Sequence, residues 1–304
     1  MHLHVFSGTA DVPLAEAVAA RLDLPLGERV LERFPDGELH LEVRERVRGD
    51  DVFVVQPTGP PVGEHLLELL LLGDACRRAG AARLTAVVPY FGYARQDRRA
   101  HDGEPLGARL VADLVAAGGF ARAVAVDLHT ASIEGCFAIP LEHLSAVDLL
   151  ADAIRGDAAG EAVIVSPDLG AVKLAERYAV RLGLPVAIVH KTRTSGTEVS
   201  VRRLVGEVRG RTPIVIDDML STGGTVAAAI DAVLDAGALP NATVVVSHAL
   251  LVGPAAERLA RLPVRRLVAT DSVRLGEPAG VPLERVSLAP LLADAVGRLH
   301  GDPR

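Results

Sequence analysis

The chain contains no tryptophan and only two residues each of cysteine, methionine and lysine. Cys76 and Cys136 stand far apart, outside any CxxC or other metal-ligand spacing. That excludes a disulfide scaffold and a cysteine zinc site, and leaves two reduced thiols of the cytosolic kind. An excess of basic charge is also missing: 32 Lys and Arg against 39 Asp and Glu give −7. No basic face for general nucleic-acid binding is expected, although a local cluster can still hold a small anion. Long apolar runs are absent. The greasiest stretch, Leu66 to Leu72, is cut by Glu68 and ends at Gly73-Asp74, too short to span a bilayer. Met1 to Phe6 lacks the basic start and apolar run of a signal peptide. These absences predict a soluble, cytoplasmic protein with neither nucleic acid nor membrane as partner. Almost every cation is arginine, with lysine only at Lys173 and Lys191, as in a GC-rich genome.

What is present is ordinary globular material, 49% hydrophobic and 23% charged over 304 residues. That length suggests two domains at about 100–200 residues each. Short β-branched runs alternate with longer amphipathic ones. Strands are predicted at 51–55, 84–89, 123–128, 162–166, 186–189, 213–217 and 243–247. Helices are predicted at 65–79, 106–117, 171–182 and 226–236. This alternation predicts an α/β fold of two tandem doubly wound, mainly parallel domains. The halves repeat: a strand, a loop, a helix ending Arg78-Ala79-Gly80-Ala81 and a strand in the first match a strand, a loop, a helix ending Asp235-Ala236-Gly237-Ala238 and a strand in the second. The expected division is 1–145 and 146–287, with a closing helix over 288–304 joining the first domain.

The strongest motif is Ile214-Val215-Ile216-Asp217-Asp218-Met219-Leu220-Ser221-Thr222-Gly223-Gly224-Thr225. An apolar strand ends in two carboxylates, a small glycine-bearing loop follows, and a helix begins. Open α/β sheets bind ligands at the carboxyl ends of their strands. A helix start offers N–H donors and a dipole that favours an anion. Gly223 and Gly224 permit close backbone approach, and Thr222 and Thr225 add hydroxyls. Adjacent carboxylates repel phosphate but suit sugar hydroxyls or hydrated Mg²⁺. Without Gly-Lys-Ser/Thr, the loop is not a Walker A motif.

The string resembles the phosphoribosyl-diphosphate (PRPP) loop of phosphoribosyltransferases and PRPP synthetases. Further pieces lie in order: Phe34-Pro35-Asp36-Gly37-Glu38 in a turn, Pro89 to Arg98 after a strand, Asp127-Leu128-His129 and Ser166 to Gly170 at strand ends, and Lys191-Thr192-Arg193. Together, from about Phe34 to about Asp271, they resemble the ribose-phosphate diphosphokinase family. Phosphoribosyltransferases, the nearest alternative, lack the first half of the set. A catalytically silent subunit of the same family is the other alternative; such proteins tend to lose lid or loop residues that this chain keeps.

The resemblance implies ATP and ribose 5-phosphate as substrates, AMP and PRPP as products, and attack of the ribose 1-hydroxyl on the β-phosphorus. It assigns Phe34, Asp36, Glu38, Arg95, Gln96 and Asp97 to the nucleotide. It assigns Asp217, Asp218, Ser221, Thr222, Gly223, Gly224 and Thr225 to ribose 5-phosphate. His129 and Asp168 match residues used for Mg²⁺, with Asp127 placed to orient His129. Lys191 and Arg193 match a lid, here with Thr194, Ser195 and Gly196, that closes over the triphosphate; they are the expected catalytic cations. The implied site lies between the domains of a homo-oligomer, a dimer or higher. Ser221 stands where many members have Asp, and the wording of lid and loop looks closer to an archaeal-type branch. The Ser/Tyr-rich tail that helps form the family's ADP effector site is not matched by Gly301-Asp302-Pro303-Arg304.

Overall fold

The computed structural model describes residues 1–158, 160–193, 200–276, 278 and 280–301, with residues 191–193 and 200–202 described by their backbone. Thr194, Ser195 and Gly196 lie outside the described residues. The chain divides into two compact units. One comprises Met1–Ser145, Ser272–Arg274 and the segment from Ser287 onward; the other comprises Ala146–Asp271 and Leu275–Val286.

The first unit contains β1 (Leu3–Ser7), α1 (Val12–Arg21), β2 (Arg29–Arg33), β3 (Leu39–Val43), β4 (Asp51–Val55), α2 (Val62–Arg78), β5 (Arg83–Val88), α3 (Gly107–Ala117), β6 (Arg122–Val126), a short 3-10 helix (Ala131–Cys136) and β7 (Leu141–Leu144). Five strands form a parallel sheet in the order β1-β4-β5-β6-β7. The strands read as unbroken apolar runs because both faces are covered. Phe6, Val52, Val54, Ala86 and Ala125 face the cluster built with α2 and α3. The alternate residues Val5, Phe53, Val55, Val87 and Val124 are equally buried. Glu68, read as an interruption of the leucine run, is itself buried. It accepts from Thr9 N–H at 2.8 Å, Thr9 Oγ1 at 2.7 Å and Gln56 Nε2 at 2.8 Å. Those bonds make its burial tolerable. Cys76 is free and buried, and burial pushes its thiol up to about 12, so it stays protonated and inert.

The second unit contains α4 (Val147–Ala153), β8 (Ala162–Ser166), α5 (Val172–Leu182), β9 (Val186–Arg193), β10 (Ser200–Val205), β11 (Thr212–Leu220), α6 (Gly224–Asp235), β12 (Ala242–Ala249), α7 (Ala255–Ala260), β13 (Val264–Thr270) and β14 (Leu283–Val286). The last helix, α8 (Ala289–Gly301), belongs to the first unit. The sheet order is β10-β9-β8-β11-β12-β13-β14, parallel except for the β9–β10 hairpin. Strand order reverses between β8 and β11, the switch point where doubly wound sheets open a crevice.

The internal repeat is carried by topology. Each unit runs strand, helix, two-stranded hairpin, strand, helix, strand, helix, strand, strand. β1 corresponds to β8 and β4 to β11. The β2–β3 hairpin corresponds to β9–β10. Sequence periodicity misses β1, β2, β3, β7, β10, β13, β14, α1, α4 and α7. The missed strands are short or cut by charge, as in Val264-Arg265-Arg266, and α7 has only six residues. β11 and β9 are longer than expected: β11 runs on to Leu220, and β9 to Arg193.

Thr85 on β5 is fully buried, and its Oγ1 has no hydrogen-bond partner among the described residues. Thr85→Val keeps the shape and removes that orphaned hydroxyl. It is expected to raise stability by about 1 kcal/mol in denaturant unfolding. A loss of stability would show that the hydroxyl is satisfied in solution.

Candidate active site

In the first unit the candidate residues gather at the carboxyl ends of β5 and β6. Residues after Val88 form a loop held from below by Thr58. Thr58 N–H donates to Tyr90 O at 2.9 Å, Thr58 Oγ1 donates to the same carbonyl at 3.2 Å, and Gly92 N–H donates to Thr58 Oγ1 at 2.7 Å. Only glycine fits at 92, since a Cβ there would come within 2.6 Å of Thr58 O. Beyond this strut, Val62, Tyr90, Tyr93, Ala94, Arg95 and Gln96 line an open cleft of about 550 Å³. Arg95 and Gln96 are exposed. Asp97 points back into the protein: Thr130 Oγ1 donates to its Oδ2 at 2.7 Å. That bond ties the cleft loop to the residue beside His129.

Asp127-Leu128-His129 leaves the end of β6 on a turn that needs Asp127 at φ 38°, a left-handed conformation. Ser145 Oγ donates to Asp127 Oδ1 at 2.8 Å. Leu128 N–H donates to His143 Nε2 at 3.0 Å, and His143 Nδ1 lies 2.7 Å from Glu134 Oε1. The second nitrogen therefore carries the proton that Glu134 accepts, and His129 is presented, exposed, from a braced turn. The segment Phe34 to Glu38 is the turn of the β2–β3 hairpin. Phe34 N–H donates to Glu38 O at 2.8 Å, and Glu38 N–H to Asp36 Oδ1 at 3.1 Å. Phe34 is 48% exposed, its ring centroid 5.5 Å from that of His40. Arg33 pairs with Glu64, two residues from Val62 of the cleft.

In the second unit the site is built on the switch point. Asp217 and Asp218 do not end β11. They lie within it, and Met219 and Leu220 continue its pairing to β12 opposite His248 and Ala249. Asp168 follows β8; its Oδ1 accepts from Gly170 N–H at 2.8 Å and Ala171 N–H at 3.1 Å, opening α5. Burial, then the Asp218 carboxylate and the charge of Asp168, hold the Asp217 carboxyl well above the ordinary carboxylate range. Next comes the loop Ser221 to Gly223. Gly223 caps α6 at φ 72°, which demands glycine although a Cβ there would meet only Ala255, at an ordinary contact distance of 3.7 Å. Among the described residues no side chain caps the N–H groups of the first turn of α6, which also carries no acidic residue. Thr222, Gly224 and Thr225 are exposed.

The loop is backed by the start of α7. Leu250 N–H donates to Leu220 O at 2.8 Å and Val252 N–H to Ser221 O at 3.1 Å. Arg258 Nη1 donates to Thr222 O at 2.5 Å. Sequence reasoning passed over Thr58, His143 and Arg258, each remote in sequence from the motif it braces. The one available signal was Gly253-Pro254, a helix start three residues before Glu257. Lys191 and Arg193 do not follow a strand as expected; they are on β9, in register with Arg202 and Ser200 of β10.

The carboxyl-end geometry of both units is matched in sequence by known proteins. Residues 3–119 match the N-terminal domain of ribose phosphate pyrophosphokinase, and residues 138–270 match the phosphoribosyl transferase domain. The chain belongs to the ribose-phosphate pyrophosphokinase family. The family's enzyme from Rhodopirellula baltica is 44% identical, covering 99% of this chain and 96% of its own. That from Staphylococcus saprophyticus is 42% identical over 98% and 94%. The crystal structure of phosphoribosylpyrophosphate synthetase from Mycobacterium smegmatis superposes with a TM-score of 0.93 at 39% identity, covering 99% of both chains. No helix among the described residues is long and apolar enough to cross a membrane.

Asp217 makes a stability prediction. A carboxyl whose pKa rises on folding weakens the fold as pH climbs above its unfolded pKa, because the native state then holds a charge that it disfavours. Asp217→Asn is expected to stabilise the ligand-free protein at neutral pH by roughly 1 kcal/mol, as when a strained functional group is removed. The gain should shrink in thermal melts as pH falls through the unfolded pKa of about 3.9 and vanish below it, where the aspartate is protonated in both states. An equal gain at both pH values would rule out charge as the cause.

Proposed function

We propose that this member of the family transfers the diphosphate of ATP to O1 of ribose 5-phosphate. The ribose 1-hydroxyl attacks the β-phosphorus, its proton is lost, and AMP departs, leaving PRPP for nucleotide synthesis in the cytoplasm. The observation that carries the reading is the pairing, along one chain, of a nucleotide-type cleft at 90–96 with a PRPP-type loop at 221–225. A phosphoribosyltransferase, which consumes PRPP, has no need of the former.

In this proposal residues 1–145 with α8 serve ATP, and 146–287 serve the sugar phosphate. Phe34 stacks on adenine, and Asp36 and Glu38 accept from its amino edge. Arg95 and Gln96 meet the phosphates, guanidinium matching phosphate geometry. Asp97 acts by holding the loop that carries them. Asp217 and Asp218 accept the ribose hydroxyls. Ser221, Thr222, Gly223, Gly224 and Thr225 surround the 5-phosphate with backbone and hydroxyl donors. Self-association as a homo-oligomer, a dimer or higher, belongs to the same reading.

Mg²⁺ suits the donors His129 and Asp168. Among the described residues no three acidic, His or Cys side chains cluster as a closed metal cage. Mg²⁺ characteristically takes one or two carboxylates and fills its shell with water and substrate phosphates. Held by these residues, it would supply positive charge against the phosphate oxygens. Catalysis by the protein itself is then positioning and charge stabilisation. Lys191 and Arg193 supply cations where negative charge develops.

Incubation with ATP, Mg²⁺ and ribose 5-phosphate should yield equal AMP and PRPP. ADP would mean simple phosphorylation, and no product would mean a silent subunit. Lys191→Ala is expected to lower kcat and kcat/KM together by about 3–4 kcal/mol of transition-state stabilisation, with Lys191→Arg recovering part. Turnover within a few-fold of wild type in a folded variant would remove Lys191 from the chemistry. His129→Ala should raise the Mg²⁺ concentration needed for half-maximal rate; an unaltered requirement would make His129 structural.

A further inference from the structure

The phosphate loop has a charge problem. From Ile214 to Thr225 it contains no Lys or Arg, and neither does α6. Its neighbours are the carboxylates Asp217 and Asp218, with Asp168 close enough to act on Asp217. A sugar 5-phosphate near neutral pH carries close to two negative charges. The helix start offers only about half an elementary charge against that. Loop and helix together therefore leave a dianion beside three acidic groups, short of positive charge.

The missing cation comes from α7. Ala255 and Arg258, three residues apart and so on one face of the helix, both reach the loop. A Cβ at Gly223 would lie 3.7 Å from Ala255 Cα, and one at Gly224 3.4 Å from Arg258 Nη1. The guanidinium also donates to the carbonyl of Thr222 at 2.5 Å. That single bond has two consequences. It engages a loop carbonyl whose oxygen would otherwise repel an anion. It also brings a permanent charge, with further N–H donors in its fork, against the glycines of the loop.

We propose that Arg258 is the positioning residue of the sugar-phosphate site: by clamping the Thr222 carbonyl it keeps the Ser221 to Thr225 amides directed at the 5-phosphate, and its charge offsets the acidic surroundings. The inference rests on the assignment of this loop to ribose 5-phosphate.

The test uses Arg258→Met, which keeps length and loses charge and donors, and Arg258→Lys, which keeps charge alone. Steady-state kinetics for both substrates, calorimetry with ribose 5-phosphate at low and high salt, and thermal melts are read together. Arg258→Met should raise the KM and Kd for ribose 5-phosphate about tenfold or more, the scale of a lost charge-assisted bond. The KM for ATP should stay within about twofold, the melting temperature should hold, and the salt dependence of binding should flatten. Arg258→Lys should recover part of the affinity and most of the salt dependence. Ribose 5-phosphate affinity within about twofold of wild type in Arg258→Met would overturn the proposal. So would a parallel rise in both KM values with a fall in melting temperature, which would make Arg258 a general strut. Gly223→Glu serves as control. If it abolishes sugar-phosphate binding while Arg258→Met does not, only the role of Arg258 fails; if it too leaves binding intact, the loop assignment fails and the inference with it.

Discussion

A parallel sheet covered on both faces leaves its side chains nowhere to meet solvent except at the strand ends. Successive parallel strands all emerge at one edge, so every loop that can carry chemistry collects there. This constraint organises both units. The cleft loop follows β5, His129 follows β6, Asp168 follows β8 and the phosphate loop follows β11. Even the hairpins obey it: β2–β3 and β9–β10 are inserted at the same step of the repeat, one carrying Phe34 and the other Lys191. Duplication of one scaffold thus supplied two sets of loops in equivalent positions, and the two sets diverged in chemistry rather than in fold.

The opposite, amino ends of the strands are spent on stability. Asp51, the first residue of β4, is fully buried and pairs with Arg83, the first of β5, and with His300 of α8. Arg83 and Arg122 also donate to the carbonyl of Leu299, meeting the negative end of that helix. In the second unit the buried Asp157 accepts from Thr243, Arg265 and Arg266 at the starts of β12 and β13. A buried carboxylate tolerates this only with its lone pairs filled, and removing one partner costs far more than the pair contributes. Charge at the amino edge is therefore saturated, while charge at the carboxyl edge is held in tension.

That tension is visible at Asp217. Burial, with the nearby carboxylates of Asp218 and Asp168, raises the Asp217 pKa and lowers the stability of the unliganded protein. In the proposed function these carboxylates are the acceptors for sugar hydroxyls, a role that ionised groups fill better than neutral ones. In the same proposal the phosphate, only a few bonds away, meets groups of opposite character: the α6 dipole, backbone N–H donors and the Arg258 guanidinium. The site separates its charges by secondary structure, with acid on the strand and positive potential on the helix side.

Sequence alone determined a good deal. The unbroken apolar runs at 52–55, 162–165 and 214–216 could only be strands buried on both faces, because no amphipathic alternation was left to face solvent. Asp217 to Thr225 marked a strand–loop–helix anion site, since glycine pairs with open N–H groups in few other settings. What sequence could not reveal was which polar groups brace others. Glu68 interrupts a leucine run yet lies buried, because Thr9 and Gln56, distant in the chain, satisfy it. Asp97 turns inward because Thr130 waits there. The strand bearing Asp217 continues past it, and Lys191 lies on a strand rather than beyond one, because neighbouring strands offer ladder partners that no local pattern records. Arg258 is the clearest case. On a six-residue helix it reads as an ordinary surface cation, and only the parallel pairing of β12 beside β11, with α7 following β12, sets its guanidinium against Thr222. Local sequence determined elements and motifs because those depend on neighbours along the chain; the bracing contacts depend on neighbours in space, and only the tertiary structure decided them.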